Sequence, residues 1–252
     1  MIPTVQDTFV MTKRSLRHTV RSADTIITVA LTPVVMMLMF VYVFGGSWGA
    51  GDADYVDYIT PGITIMCVVS GIAYAALRLN TDLQKGIIAR FRTMPVSSSS
   101  ILGGHAVSSV LSNLVSVALV LLVAFAIGFR AAAGIVEWLL FAGIVVLFTT
   151  ATTWLAIVFG LLAASPEGAG AFSYLLLFGT FVSSAFTPVD TMHPALRWFA
   201  EHQPLTPIIE TMRSLLLDAT PGDQIWTAVA WCAGLLVLSY AAALRVYRTK
   251  AA

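Results

Sequence analysis

The residues by which a chain could hold a nucleotide are sparse here: only Lys13, Lys85 and Lys250 carry an ammonium. They follow Thr12, Gln84 and Thr249, so the Gly-Lys pair of a phosphate-binding loop, whose lysine reaches the phosphates, occurs nowhere. His18, His105, His193 and His202 are isolated, and none forms an H-E-x-x-H or similar metal-binding helical pair. Cys67 and Cys232 lie inside apolar runs, far from a second thiol or a histidine at ligand spacing, and read as small core residues. Ser98 to Ser100 lack a G-x-S-x-G setting, and a serine run ahead of an apolar helix reads as a capping region. The chain is therefore expected to be no enzyme, with no metal and no cofactor of its own.

What the sequence supplies in quantity is apolar surface. Of its 252 residues 58% are hydrophobic and 11% charged, with a mean hydropathy of +0.86. Soluble domains carry about 25% charged residues. A formal charge of +1 gives no case for nucleic-acid binding, and lipid is the solvent that accepts such a composition. A spanning helix needs about 20 mostly apolar residues. Six stretches qualify, at about 25–44, 61–79, 101–129, 135–164, 169–186 and 224–246. Asp24 is placed to cap the first, and Thr60-Pro61 to open the second with proline at the first helical position. Gly168, Gly170 and Gly179 weaken the fifth. The first run follows a basic segment, but it is too long for a signal-peptide core of 7–15 residues. The expected fold is an all-α, polytopic membrane protein with six transmembrane helices in a single domain, 1–252.

Lys and Arg set the orientation. Lys13, Arg14, Arg17, Arg21, Arg78, Lys85, Arg90, Arg92, Arg245, Arg248 and Lys250 fall on one side if both termini are cytoplasmic. The other side keeps Arg130, Arg197 and Arg213, beside an acidic first loop with Asp52, Asp54 and Asp57. Within 4–22, Val5, Phe9, Thr12, Leu16 and Val20 share one helical face flanked by basic residues, as in an interfacial amphipathic helix. The last external segment, Thr187 to Asp223, holds five prolines and two short amphipathic stretches, His193 to His202 and Thr206 to Leu217. Too short to cross, they are expected to form a re-entrant helix pair, tolerated where protein covers it or water reaches it. The spans themselves are almost free of ionisable residues, which argues against ion-coupled transport.

Two blocks become informative together: TDLQKGIIARFRTMPVSSSSILGGH from Thr81, and FVSSAFTPVDTMHPALRWFAEHQPLTPIIETMRSLLLD from Phe181. They resemble the permease subunits of ABC-2 type ABC exporters, most closely the daunorubicin-resistance permeases. In that family an acidic residue, a glycine and an R-x-R pair precede a proline at the third span, matched by Asp82, Gly86, Arg90, Arg92 and Pro95. The external block matches at Phe186, Pro188, Met192, Pro204, Thr206 and Arg213. Two features depart from the family: serines follow Pro95 where a basic residue is usual, and His193 delays Pro194 by one position.

The resemblance implies a half-transporter that pairs with a second permease copy, identical or a close paralogue, and with two copies of a separate cytoplasmic ABC ATPase. ATP and magnesium would reside in that partner, and the chain would sit in a bacterial plasma (inner) membrane. Lys85, Arg90 and Arg92 suit a docking surface, so Thr81 to Thr93 is expected to form a coupling helix. Glu167, in the Ser165 to Gly168 turn, would touch the same partner. The resemblance also implies that the second and fifth spans face the dimer axis. There Tyr174, Phe178 and Phe181 form an aromatic stripe at i, i+4 and i+7, and Thr64, Cys67 and Gly71 share a small-residue face. Together they suit export of a hydrophobic or amphipathic, drug-like or lipid-like molecule. The rival readings are a membrane scaffold or immunity protein that binds a partner without transport, and a lipid-modifying enzyme, which the missing acid, base and nucleophile disfavour.

Overall fold

The computed structural model describes residues 23–44, 52–86 and 98–251, and among them all regular structure is helical. The interfacial helix expected at 4–22, and Arg90, Arg92 and Pro95, lie outside the described residues. Helix α1 (Ala23–Met39) ends in a π turn, Phe40–Phe44, and α2 runs from Asp52 to Gln84. Helices α3 (Ser98–Ala126) and α4 (Ile135–Leu162) follow, then two short helices, α5 (Pro166–Ala171) and α6 (Ser173–Phe181). Beyond a 3-10 turn at Val189–Thr191 come α7 (Pro194–His202), α8 (Leu205–Arg213, continued by a π turn, Ser214–Asp218) and α9 (Ile225–Ala251).

Four of these are long and apolar enough to cross a membrane: Tyr55–Gln84, Leu102–Ala126, Ile135–Leu162 and Ile225–Tyr247. The other two expected spans correspond to α1, whose apolar stretch Leu31–Val43 is shorter, and to the pair α5–α6.

Several expected boundaries are corrected. Thr60-Pro61 does not open the second helix, which begins at Asp52. Acidic residues in the first turns favour that earlier start through the helix dipole. Proline removes one i to i−4 hydrogen bond, and around it the Thr60 hydroxyl donates to the Val56 carbonyl (2.7 Å) and Thr64 to Thr60 (2.9 Å). The third helix stops at Ala126 rather than Phe129, ahead of Gly128 at φ +117. The last runs on to Ala251.

The fifth stretch is no continuous 169–186 helix. Ser165 caps α5 by accepting from the Gly168 N–H (3.1 Å), so 165–168 is a helix start rather than a free turn. The regular helix is interrupted at Phe172, whose backbone stays in the right-handed helical region, and ends after Phe181.

The core is built on α2. Its Tyr55–Val69 half packs with α1, α3, α4 and the buried face of α8, through Met37, Val120, Phe148, Ile208, Ile209 and Met212. Near the other end of α2, Leu79 joins Leu102, Ile157, Leu161 and Tyr247. Gly160 of α4 lets the two backbones approach: a Cβ there would stand 2.9 Å from the Ala76 carbonyl oxygen. Small residues serve such close packing where lipid provides no hydrophobic drive between helices.

Candidate functional site

One end of the bundle is stitched by carboxamides. Asn80 donates from Nδ2 to the Gly160 (2.9 Å) and Ala163 (2.8 Å) carbonyls, and Gln84 donates from Nε2 to Ala164 (3.0 Å) and to Asn80 Oδ1 (3.1 Å). These carbonyls belong to the last turn of α4 and the residues just beyond it, where the helix supplies no partner of its own. The stitching brings the turn after α2 beside the start of α5. Asp82, Lys85 and Gly86 therefore share an end with Glu167. Asp82 also faces His105 of α3, with Oδ2 3.4 Å from Nε2.

Of the expected coupling helix, Thr81 to Thr93, residues 87–93 lie outside the described residues. Thr81 to Gln84 belong to α2, where the Thr81 hydroxyl donates to Leu77 (2.9 Å), and only at Lys85 and Gly86 does the chain turn. Gly86 takes φ +66, a left-handed cap that glycine adopts without strain.

The opposite end holds the second cluster. The Asp57 carboxylate accepts from the Arg130 N–H (2.9 Å), tying the 127–134 connection to α2. Arg213 is buried, and its guanidinium donates to the carbonyls of Tyr58 (3.2 Å from Nη2) and Ser184 (2.7 Å) and to Glu210 (2.6 Å). It also stacks over the Tyr58 ring at 3.8 Å, while the Tyr58 hydroxyl donates to the same Ser184 carbonyl (3.1 Å). Gln203 donates to Gly179 (2.9 Å) and Val182 (2.6 Å), satisfying the carbonyls freed where α6 ends. Phe186 stacks between Phe40 (4.4 Å) and Phe181 (5.3 Å).

The two expected faces of a pathway have different fates. Tyr174, Phe178 and Phe181 project from α6 with exposures of 70%, 59% and 41%, joined by Leu175 at 74%. Thr64 and Cys67 are fully enclosed by the chain's own helices, and Gly71 is occupied by Asn113 of α3. The structure thus does not bring the small-residue face of α2 to the surface that carries the aromatic stripe. Cys232 is buried likewise, and both thiols are free.

The external hairpin has a buried limb and a peripheral one. In α8, Leu205 to Ile209 and Thr211 to Arg213 are buried. In α7, Leu196, Trp198 and Phe199 are exposed, while Arg197 pairs with Asp190 (2.9 Å) and Glu201 (2.8 Å). The Glu201 hydrogen bond, then the Glu201 and Asp190 charges, raise the Arg197 pKa.

Asn80, Gln84, Gln203, Glu210 and Tyr58 escaped the sequence reading. One signal was available: a polar side chain in or beside an apolar run is costly in lipid and implies a partner.

The profile of the ABC-2 type transporter family matches residues 6–217. A daunorubicin resistance ABC transporter permease protein, DrrB1, from Streptomyces coeruleorubidus is 28% identical over 226 residues, covering 89% of this chain and 80% of that protein. A probable doxorubicin resistance ABC transporter permease protein, DrrC, from Mycobacterium tuberculosis is 23% identical over 235 residues, covering 93% of this chain and 85% of that protein. The all-helical bundle, the span-length apolar helices and this match over most of the length agree, and the chain belongs to the ABC-2 type transporter family.

Proposed function

We propose that this chain is the permease half of an ATP-driven exporter that moves a drug-like or lipid-like amphipathic molecule out of the cytoplasm. As a permease subunit the chain is not an enzyme, and with no Gly-Lys pair it holds no phosphate-binding loop. ATP and magnesium belong to a separate cytoplasmic ABC ATPase, present in two copies, that meets the Asp82, Lys85, Gly86 and Glu167 end. Arg90, Arg92 and Pro95, which follow in the sequence, act on the same partner in this proposal. A second permease copy completes the pathway, and α1 to α4, the α5–α6 pair and α9 supply six passes of one transmembrane domain. Eleven basic residues then face the cytoplasm of a bacterial plasma membrane, with both termini inside.

The observation that carries the reading is the exposed stripe Tyr174, Phe178 and Phe181 on a helix whose far end is held by Gln203. Lipid-facing helices need no such anchoring, whereas a surface that must meet a flat amphipathic solute in register does. The relatives are named for resistance to daunorubicin and doxorubicin, and this favours a planar solute. Two-state exposure of that surface, biased by ATP through the docking end, gives alternating access.

The test is reconstitution with the partner ATPase in liposomes, with daunorubicin as probe. Phe178→Ala removes a half-exposed aromatic whose covering by solute is worth about 1–2 kcal/mol. The half-maximal concentration for stimulated hydrolysis should rise about fivefold to thirtyfold, with basal hydrolysis kept. An unchanged concentration dependence removes the stripe from the pathway.

A further inference from the structure

We infer that Arg213 is a positioning residue, a latch that ties the external hairpin both to the bend after the aromatic-stripe helix and to α2. The inference rests on the exporter reading for its purpose, but not for its geometry.

Arg213 joins three segments that are distant in sequence. It lies at the end of α8, takes the Tyr58 carbonyl from α2, and takes the Ser184 carbonyl from the bend after α6. Each interaction is one that lipid makes valuable. The Ser184 carbonyl belongs to no helix ladder, and a buried carbonyl without a donor is costly. A guanidinium presents several donors in a rigid plane, which a lysine ammonium does not reproduce.

The charge itself is compensated by Glu210 at 2.6 Å and by the face of the Tyr58 ring. Glu210 keeps about a third of its side chain exposed, so the cluster opens to solvent on one side. Beside it, Gly62 approaches the bend so closely that a Cβ would stand 2.6 Å from the Ala185 carbonyl oxygen. Gln203 holds the remaining carbonyls of the same break.

The consequence is mechanical. Residues 182–187 cannot leave α2 without carrying α8 with them while the guanidinium is in place. When it is absent, the break is held only by Gln203, the Tyr58 hydroxyl and apolar contact. The bend after the stripe helix, the hairpin and α2 therefore move as one body, and Arg213 is the side chain that bonds all three.

Accessibility at Ser184 reads this directly, because its side chain is fully buried. In a Cys67→Ala, Cys232→Ala background, Ser184→Cys is labelled in intact membranes with a membrane-impermeant maleimide, from the side that carries Arg130. Labelling should be slow with Arg213 present and at least tenfold faster with Arg213→Ala. Millimolar ethylguanidinium should restore protection in Arg213→Ala, entering past Glu210, while potassium chloride at equal ionic strength should not. Unchanged labelling in Arg213→Ala overturns the latch. Faster labelling that guanidinium does not reverse also overturns it, since that is the behaviour of lost packing alone. If Arg213→Ala does not reach the membrane, Arg213→Lys decides: severalfold faster labelling supports the latch, because an ammonium cannot reach both carbonyls in the plane of a guanidinium, and unchanged labelling overturns it. The assay needs neither substrate nor ATPase, so failure of the exporter reading would leave its result intact, and the reverse holds too.

Discussion

Gly71 and Asn113 separate a helix seam from a transport surface. An alanine Cβ at position 71 would stand 1.7 Å from Asn113 Oδ1 and 2.7 Å from its Cγ, far inside contact distance. Asn113 is 2% exposed, so its side chain has no open space into which to retreat. Gly71→Ala should thus cost about 1–3 kcal/mol, the range for overpacking a tight interior. Asn113→Ala removes the clash in advance, and its own cost is reduced because Oδ1 has no hydrogen-bond partner to lose. The double variant should therefore be more stable than the sum of the singles by at least about 1 kcal/mol, a coupling of the size seen between touching residues. The assay is thermal unfolding of the detergent-solubilised chain, where 1 kcal/mol corresponds to about 2–4 °C at this size. Additive losses would refute the seam. So would a Gly71→Ala variant that keeps its stability but loses transport, since Gly71 would then line a pathway.

Three further outcomes follow from the same geometry. Gln203→Ala leaves the Gly179 and Val182 carbonyls without their donor, and should lower stability by about 2 kcal/mol in the same unfolding assay. Arg197→Ala removes only exposed ion pairs with Asp190 and Glu201, so its stability should stay within about 1 kcal/mol of the parent. Arg90→Glu with Arg92→Glu should abolish recovery of the partner ATPase in pull-downs without changing the amount of permease in the membrane.

Hydropathy made the helical class and most spans legible, because roughly 20 apolar residues in a row have few other uses. The α4 limits Ile135–Leu162 match the expected stretch closely, bounded by Gly134 and by the Ser165-Pro166 start. Pro61 misled: in lipid a proline within a helix survives where hydroxyls such as Thr60 and Thr64 support the backbone around it. The interruption at Phe172 was foreshadowed by Gly168 and Gly170, whereas the end after Phe181 is held by Gln203, a long-range partner that no local pattern reveals.

Asp82, Lys85, Gly86 and Glu167 at one end of the bundle, and the aromatic stripe of α6, were readable as residue types. What fills the small face of α2 was not. Helical spacing puts Thr64, Cys67 and Gly71 together, but only tertiary packing decides that Asn113 occupies the gap at Gly71. Arg213 was visible as one basic residue on the sparsely charged side, while its three-segment role needed the fold.

The central claim is that this chain works as the membrane half of an ATP-driven exporter, and copurification tests it most directly. The chain is tagged, expressed alone and with ABC ATPases from its own source, and purified in lipid. One ATPase per permease, with hydrolysis that rises in the presence of lipid, is the predicted result. A stable permease that recovers no nucleotide-binding partner, with nucleotide or without, would contradict the claim and favour a scaffold that transports nothing.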